Sequence, residues 1–114
     1  MKISAIKELL GAKVLTSEDK LDGEVYSACG CDLMSDVLAF VKDQAVLLTG
    51  LVNPQVIRTA VMMDMVCIVF VRSKLPTAEM LDLARESGIV VMSTEKTLYS
   101  SCGLLFSNGL TGAK

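Results

Sequence analysis

The chain has 114 residues and a mass of 12.2 kDa, with 13 acidic side chains against 11 basic ones and no histidine. A chain of this size buries about two-thirds of its unfolded surface, enough for one core and not for two, so a single domain is expected. The net charge of −2 gives no electrostatic footprint for nucleic acid or an anionic membrane, and the missing histidine removes the commonest general base and zinc ligand.

In chain order, Ser4 is placed to cap a short helix whose apolar face is Ile6, Leu9 and Leu10, with Gly11 as its left-handed stop. Lys13 to Thr16 is a short strand candidate, and Ser17 to Gly23 reads as a surface loop. Glu24 to Cys31 is a second, weaker strand. Asp32 has the character of an N-cap for an amphipathic helix that ends near Lys42, with Leu33, Val37 and Val41 on one face and Met34 and Leu38 beside them. From Ala45 the order becomes regular. Ala45 to Thr49 is a continuous apolar strand, and Asn53 caps a helix with Pro54 at its first position and Val56, Ile57, Ala60 and Val61 as its buried stripe. Val66 to Val71 is a strand rich in β-branched residues. A helix follows Pro76, with Met80, Leu81 and Ala84 inward and Gly88 as its stop. Ile89 to Met92 is the next strand, and Ser93 or Thr94 caps a last helix carrying Leu98, Cys102, Leu105 and Phe106 on one side.

Strands apolar on both faces that alternate with amphipathic helices imply an α/β domain. It is expected to have a mostly parallel β-sheet with helices on both faces and a short N-terminal α/β lobe. In such a sheet, ligands bind at the carboxyl ends of the strands. Three segments reach that rim: Thr49-Gly50-Leu51-Val52-Asn53, Arg72-Ser73-Lys74 and Ser93-Thr94. Each leads toward a helix N-terminus, where free N–H groups and the helix dipole favour an anion. The candidate ligand residues are therefore Thr49, Gly50, Asn53, Arg72, Ser73, Lys74, Ser93 and Thr94, for a small anionic ligand such as a nucleotide or phosphorylated metabolite. The same residues are also ordinary caps, and no glycine-rich phosphate loop is present.

The four cysteines are expected to be thiols in the cytoplasm. The charged N-terminal residues Lys2, Lys7 and Glu8 stand where a secretory signal needs its apolar core. Cys67 and Cys102 read as small buried hydrophobes. Cys29 and Cys31 share a face if their segment is a strand, which opens an alternative reading as a redox or metal-handling accessory. Glu18, Asp19, Asp22 and Glu24 form a solvated loop rather than a magnesium or acid–base site. No Ser or Cys nucleophile has a histidine base, which leaves a lysine as the one open alternative; for want of an acid–base set, no catalytic residues, no cofactor and no enzymatic activity are expected. The apolar fraction of 52% and the chargeless stretch from Thr97 to Ala113 point to a homodimer.

The run from Leu48 to Thr94 resembles the DRTGG domain family, as does the opening Ile6-Lys7-Glu8-Leu9-Leu10-Gly11-Ala12-Lys13-Val14-Leu15. Ile68-Val69-Phe70-Val71, then Leu75-Pro76, then Leu83-Ala84-Arg85-Glu86-Ser87-Gly88-Ile89-Val90-Val91-Met92-Ser93-Thr94 is similar to that family's central strand, helix and strand. The resemblance spans nearly the whole chain, 1–114, as one DRTGG-like domain similar to the N-terminal domain of HPr kinase/phosphorylase. It implies a regulatory or oligomerisation module whose catalytic partners, in larger proteins, lie in other domains. Two departures stand out. Arg72-Ser73-Lys74 replaces the Thr-Gly-Gly often found after the middle strand, and Asn53-Pro54 replaces an Asp-Arg pair at the preceding helix. Loss of the glycines restricts close backbone approach at that edge.

Overall fold

The computed structural model describes residues 1–41 and 44–112. Among these residues, five helices, α1 (Ile3–Leu10), α2 (Met34–Phe40), α3 (Pro54–Met62), α4 (Ala78–Ser87) and α5 (Leu98–Ser107), surround five strands: β1 (Lys13–Val14), β2 (Ser27–Gly30), β3 (Ala45–Thr49), β4 (Cys67–Phe70) and β5 (Val90–Ser93). The strands form one sheet in the order β1-β5-β4-β3-β2. β2 to β5 are parallel, and only the two-residue β1 runs antiparallel, on β5. This is the expected α/β sandwich.

Every residue of β3, β4 and β5 is buried, because helices cover both faces of the sheet. Leu47, Ile68, Phe70 and Val91 pack with Val37, Val56, Ile57, Ala60, Met80 and Ala84 under α2, α3 and α4. Val46, Leu48, Cys67, Val69, Val90 and Met92 pack with Ile3, Ile6, Leu10 and Leu105 under α1 and α5. The alternation along each strand divides one apolar run between two cores.

Local signals set several boundaries as expected. Gly11 and Gly88 end α1 and α4 at φ of 57° and 70°, where a side chain would be strained. The Asn53 side chain accepts from the Gln55 N–H, with Pro54 at the first turn of α3. Others differ. α1 has Lys2 at its N-cap with no side-chain cap, so Ser4 lies inside the helix. The strand from Lys13 stops at Val14, because the Thr16 hydroxyl takes over the pairing: it donates to the Ile89 carbonyl at 2.8 Å and accepts from the Val91 N–H at 2.9 Å. The loop after Ser17 contains a single 3-10 turn, Glu18–Lys20, and the second strand shrinks to Ser27–Gly30. Leu33, not Asp32, occupies the N-cap of α2, and Leu33 and Leu38 are exposed while Met34, Val37 and Val41 are buried. The expected end of this helix at Lys42 lies outside the described residues. Thr77 caps α4. Thr97, rather than Ser93 or Thr94, caps α5 by accepting from the Ser100 N–H. Val61 and Phe106, expected inward, are 44% and 65% exposed.

Among the described residues, no helix is long and apolar enough to cross a membrane.

Candidate functional site

The carboxyl ends of the parallel strands bring together residues from four separate strand-to-helix connections. Asp32 follows β2, Gly50 follows β3, Val71 and Arg72 follow β4, and Thr97, Leu98 and Tyr99 open α5. Together they line an open cleft of about 300 Å³.

Its floor is a hydrogen-bond network centred on one carboxylate oxygen. The Thr49 hydroxyl and the Gly50 N–H both donate to Asp32 Oδ1 at 2.8 Å, and Thr49 Oγ1 in turn accepts from the Leu51 N–H at 3.1 Å. These donors hold the Asp32 carboxyl below its ordinary pKa, the Gly50 N–H most, then the Thr49 hydroxyl, with the nearby Arg72 charge adding to them. Asp32 is thus an anchored anion whose second oxygen faces the cleft side of Gly50. A Cβ placed on Gly50 would stand 3.8 Å from Asp32 Oδ2 and 3.1 Å from the Arg72 guanidinium. Glycine here lets the guanidinium lie close over the backbone.

Arg72 and Ser73 are consecutive residues in left-handed backbone, at φ of 54° and 59°. Their N–H groups donate to the Lys96 and Thr94 carbonyls, each at 2.8 Å. The tight turn therefore has no free amides to cradle an anion. What it supplies is the position of the Arg72 side chain, which forms no salt bridge among the described residues. The left-handed conformation is held at Ser73 despite its side chain.

Of the residues expected at the rim, Gly50 and Arg72 line the cleft. Thr49 lies buried beneath it and acts through Asp32. Asn53, Ser93 and Thr94 are committed to the scaffold. The Asn53 amide oxygen caps α3, and the Ser93 hydroxyl donates to the Lys74 carbonyl at 2.9 Å. The Thr94 hydroxyl donates to the Leu10 carbonyl at 2.7 Å and accepts from the Lys96 N–H at 3.2 Å. Neither Ser73 nor Lys74 lines the cleft. Sequence reasoning missed Asp32 as a site residue, since an acid before a helix reads as a cap. It also missed Tyr99, which is 90% exposed at the cleft wall and carries no signal along the chain.

Cys29, Cys31 and Cys102 sit around the carboxyl end of edge strand β2, while Cys67 is buried at the start of β4. Cys29 and Cys31 pack against the α2 side of the sheet. The Cys31 thiol donates to the Leu33 carbonyl and accepts from the Leu33 N–H, at 3.4 and 3.3 Å. Cys102 lies on the opposite side, directly over Gly30. All four cysteines are free. Burial, with the neighbouring Cys31 and Cys102, pushes the Cys29 thiol up to about 11. The thiolate that exchange or ligation requires is thus disfavoured there. Among the described residues, no group of three or more Cys, Asp or Glu side chains is placed to hold a metal ion.

No protein-family model matches the chain, and no curated protein matches its sequence. Its structure is similar to the CBS and DRTGG domains of the regulatory region of a Clostridium perfringens pyrophosphatase, solved in complex with the activator diadenosine tetraphosphate. The TM-score is 0.73 at 14% identity, over 91% of this chain and 45% of that one. The two share a fold. This chain spans less than half the length of that regulatory region.

Proposed function

We propose that this chain is a DRTGG-like regulatory module without catalytic activity, which self-associates and binds a nucleotide or another phosphate-bearing small molecule in the cleft beside Arg72. The observation that carries the reading is the Arg72 guanidinium, which lies beside Gly50 on a backbone turn tied to the Lys96 and Thr94 carbonyls and has no carboxylate partner at salt-bridge distance among the described residues. An unpaired guanidinium suits the bidentate recognition of phosphate. The α5 N-terminus lies on the same wall, and its dipole favours negative charge.

The rest of the lining suits a nucleoside rather than a bare anion. Asp32 Oδ2 is an acceptor for a sugar hydroxyl or a base amino group, and the exposed Tyr99 ring is a stacking surface. A volume near 300 Å³ lies at the lower end of the ligand-pocket range and suits one nucleotide unit. The nucleotide activator of the structurally similar regulatory region is consistent with this class of ligand. The missing histidine supports a binding role over a catalytic one, and the resemblance supports a cytoplasmic location.

A thermal-shift and calorimetry panel of inorganic phosphate, AMP, ATP and diadenosine tetraphosphate tests the reading. A ligand at a hundred times its dissociation constant should add about 2.7 kcal/mol, a rise of roughly 10 °C in Tm for a domain of this size. Arg72→Gln should weaken that ligand by about 10- to 100-fold, the worth of a charge-assisted hydrogen bond. A flat panel, or a ligand indifferent to Arg72→Gln, sinks the proposal.

A further inference from the structure

We infer that the outer face of α5 is the docking surface for a second copy of this chain, the two α5 helices crossing antiparallel about Gly103. This rests on the self-association in the functional reading above and names its surface.

Tyr99, Gly103 and Phe106 recur at spacings of four and three residues and so share one helical face. That face is open to solvent: Tyr99 is 90% exposed, Phe106 65%, and a Cβ built on Gly103 meets nothing within 4 Å. Two large aromatics flank a residue with no side chain. An antiparallel two-fold pairing sets Gly103 against Gly103, letting the backbones approach closely, and brings each Tyr99 to the other copy's Phe106. The surface is therefore self-complementary, as a two-fold interface must be.

Charge selects the occupant. α1 to α4 each carry at least one charged side chain, whereas α5 carries none. Two copies with a net charge of −2 each can approach through α5 with no like charges facing each other. A strongly charged partner would find nothing to pair with on α5 itself. At the carboxyl end of α5, where the second copy's Tyr99 arrives, lies an open groove of about 540 Å³ lined by Met1, Ala5, Glu8, Leu9, Asn108 and Gly109. Aromatic side chains bury roughly 200 Å² each, and with Tyr99 90% and Phe106 65% exposed the two pairs would cover roughly 600 Å². Ser100, Gly103, Ser107 and the groove walls bring the total toward the ~1,000 Å² of a specific interface. That size stands at the low end of specific interfaces.

Tyr99 also forms part of the wall of the Arg72 cleft. Packing it against a second copy orders that wall, so cleft ligand and dimer should strengthen each other by one common factor.

Sedimentation equilibrium on the full chain tests the inference. The wild type should dimerise in the micromolar range. Phe106→Glu, outside the cleft, should weaken the dimer at least about tenfold by burying an unpaired charge. Gly103→Ala should raise the monomer's Tm, since alanine is the better helix former, while weakening the dimer severalfold by spacing the helices apart. A purely structural role for Gly103 gives no such opposition. A wild type monomeric into the high micromolar range overturns the inference. So does a Gly103→Ala or Phe106→Glu protein that associates as tightly as wild type. ATP binding by a strictly monomeric protein would remove the α5 interface and leave the cleft reading standing. An α5-dependent dimer that binds nothing in the ligand panel would do the reverse.

Discussion

Thr49→Val probes the floor of the cleft with almost no change in shape. Thr49 is fully buried at the end of β3, and its hydroxyl works twice, donating to Asp32 and accepting from the Leu51 N–H. Valine fills the same volume and does neither. The bond to the carboxylate belongs to the charge-assisted class, about 1.5–3 kcal/mol. Asp32 is exposed, so water replaces part of the loss and the lower end applies. The Leu51 N–H, partly buried, loses its acceptor at a cost of about 1 kcal/mol more. The expected loss is therefore about 2–3 kcal/mol, a large share of the 5–15 kcal/mol that holds a domain together. Urea denaturation at neutral pH should show it as a lower midpoint at unchanged slope.

The same substitution carries a pH signature. The folded-state pKa of Asp32 is depressed below its unfolded value. Its contribution is therefore present above the usual carboxylate range and is lost as the pH falls through the lowered value. Thr49→Val removes one of the donors that cause the depression. The variant should lose less stability than wild type on acidification below the carboxylate range, and the Asp32 carboxyl should titrate higher by NMR. A Thr49→Val protein within about 0.5 kcal/mol of wild type, with an unmoved Asp32 titration, would refute the network as described.

Two further substitutions probe the turn and the edge strand. Ser73→Gly should stabilise the fold by up to about 1 kcal/mol in thermal melts, by relieving left-handed strain at φ 59°, and a destabilised variant would show that the Ser73 side chain has a use in the folded state. Gly30→Ala places a Cβ only 2.5 Å from Cys102 Sγ; the thiol must rotate, and few rotamers are open to it on a helix, so the cost should be about 1 kcal/mol. Adding Cys102→Ala should recover most of that loss, and strict additivity of the two changes would contradict the contact.

The alternation of apolar strands and amphipathic helices was legible in the residues from Ala45 onward, because a doubly covered parallel strand must be apolar on both faces whatever its neighbours are. Caps with local chemistry were legible for the same reason. Asn53 with Pro54, Gly11 and Gly88 act within one turn of their own position. Where a residue had a distant partner available, local reading failed. Asp32 resembles a cap and instead reaches across to β3. Ser93 and Thr94 resemble caps and instead tie down the Lys74 and Leu10 carbonyls.

What the residues by themselves determined is the class of fold and the rim at which recognition would occur, since period and burial follow from side chains a few positions apart. Only the tertiary structure decided which rim residues meet. The cleft joins positions 32, 50, 72 and 99, far apart along the chain and adjacent only because β2, β3 and β4 pair in register and α5 returns across their ends. No local pattern encodes that adjacency, because it depends on packing between elements and not on any one of them.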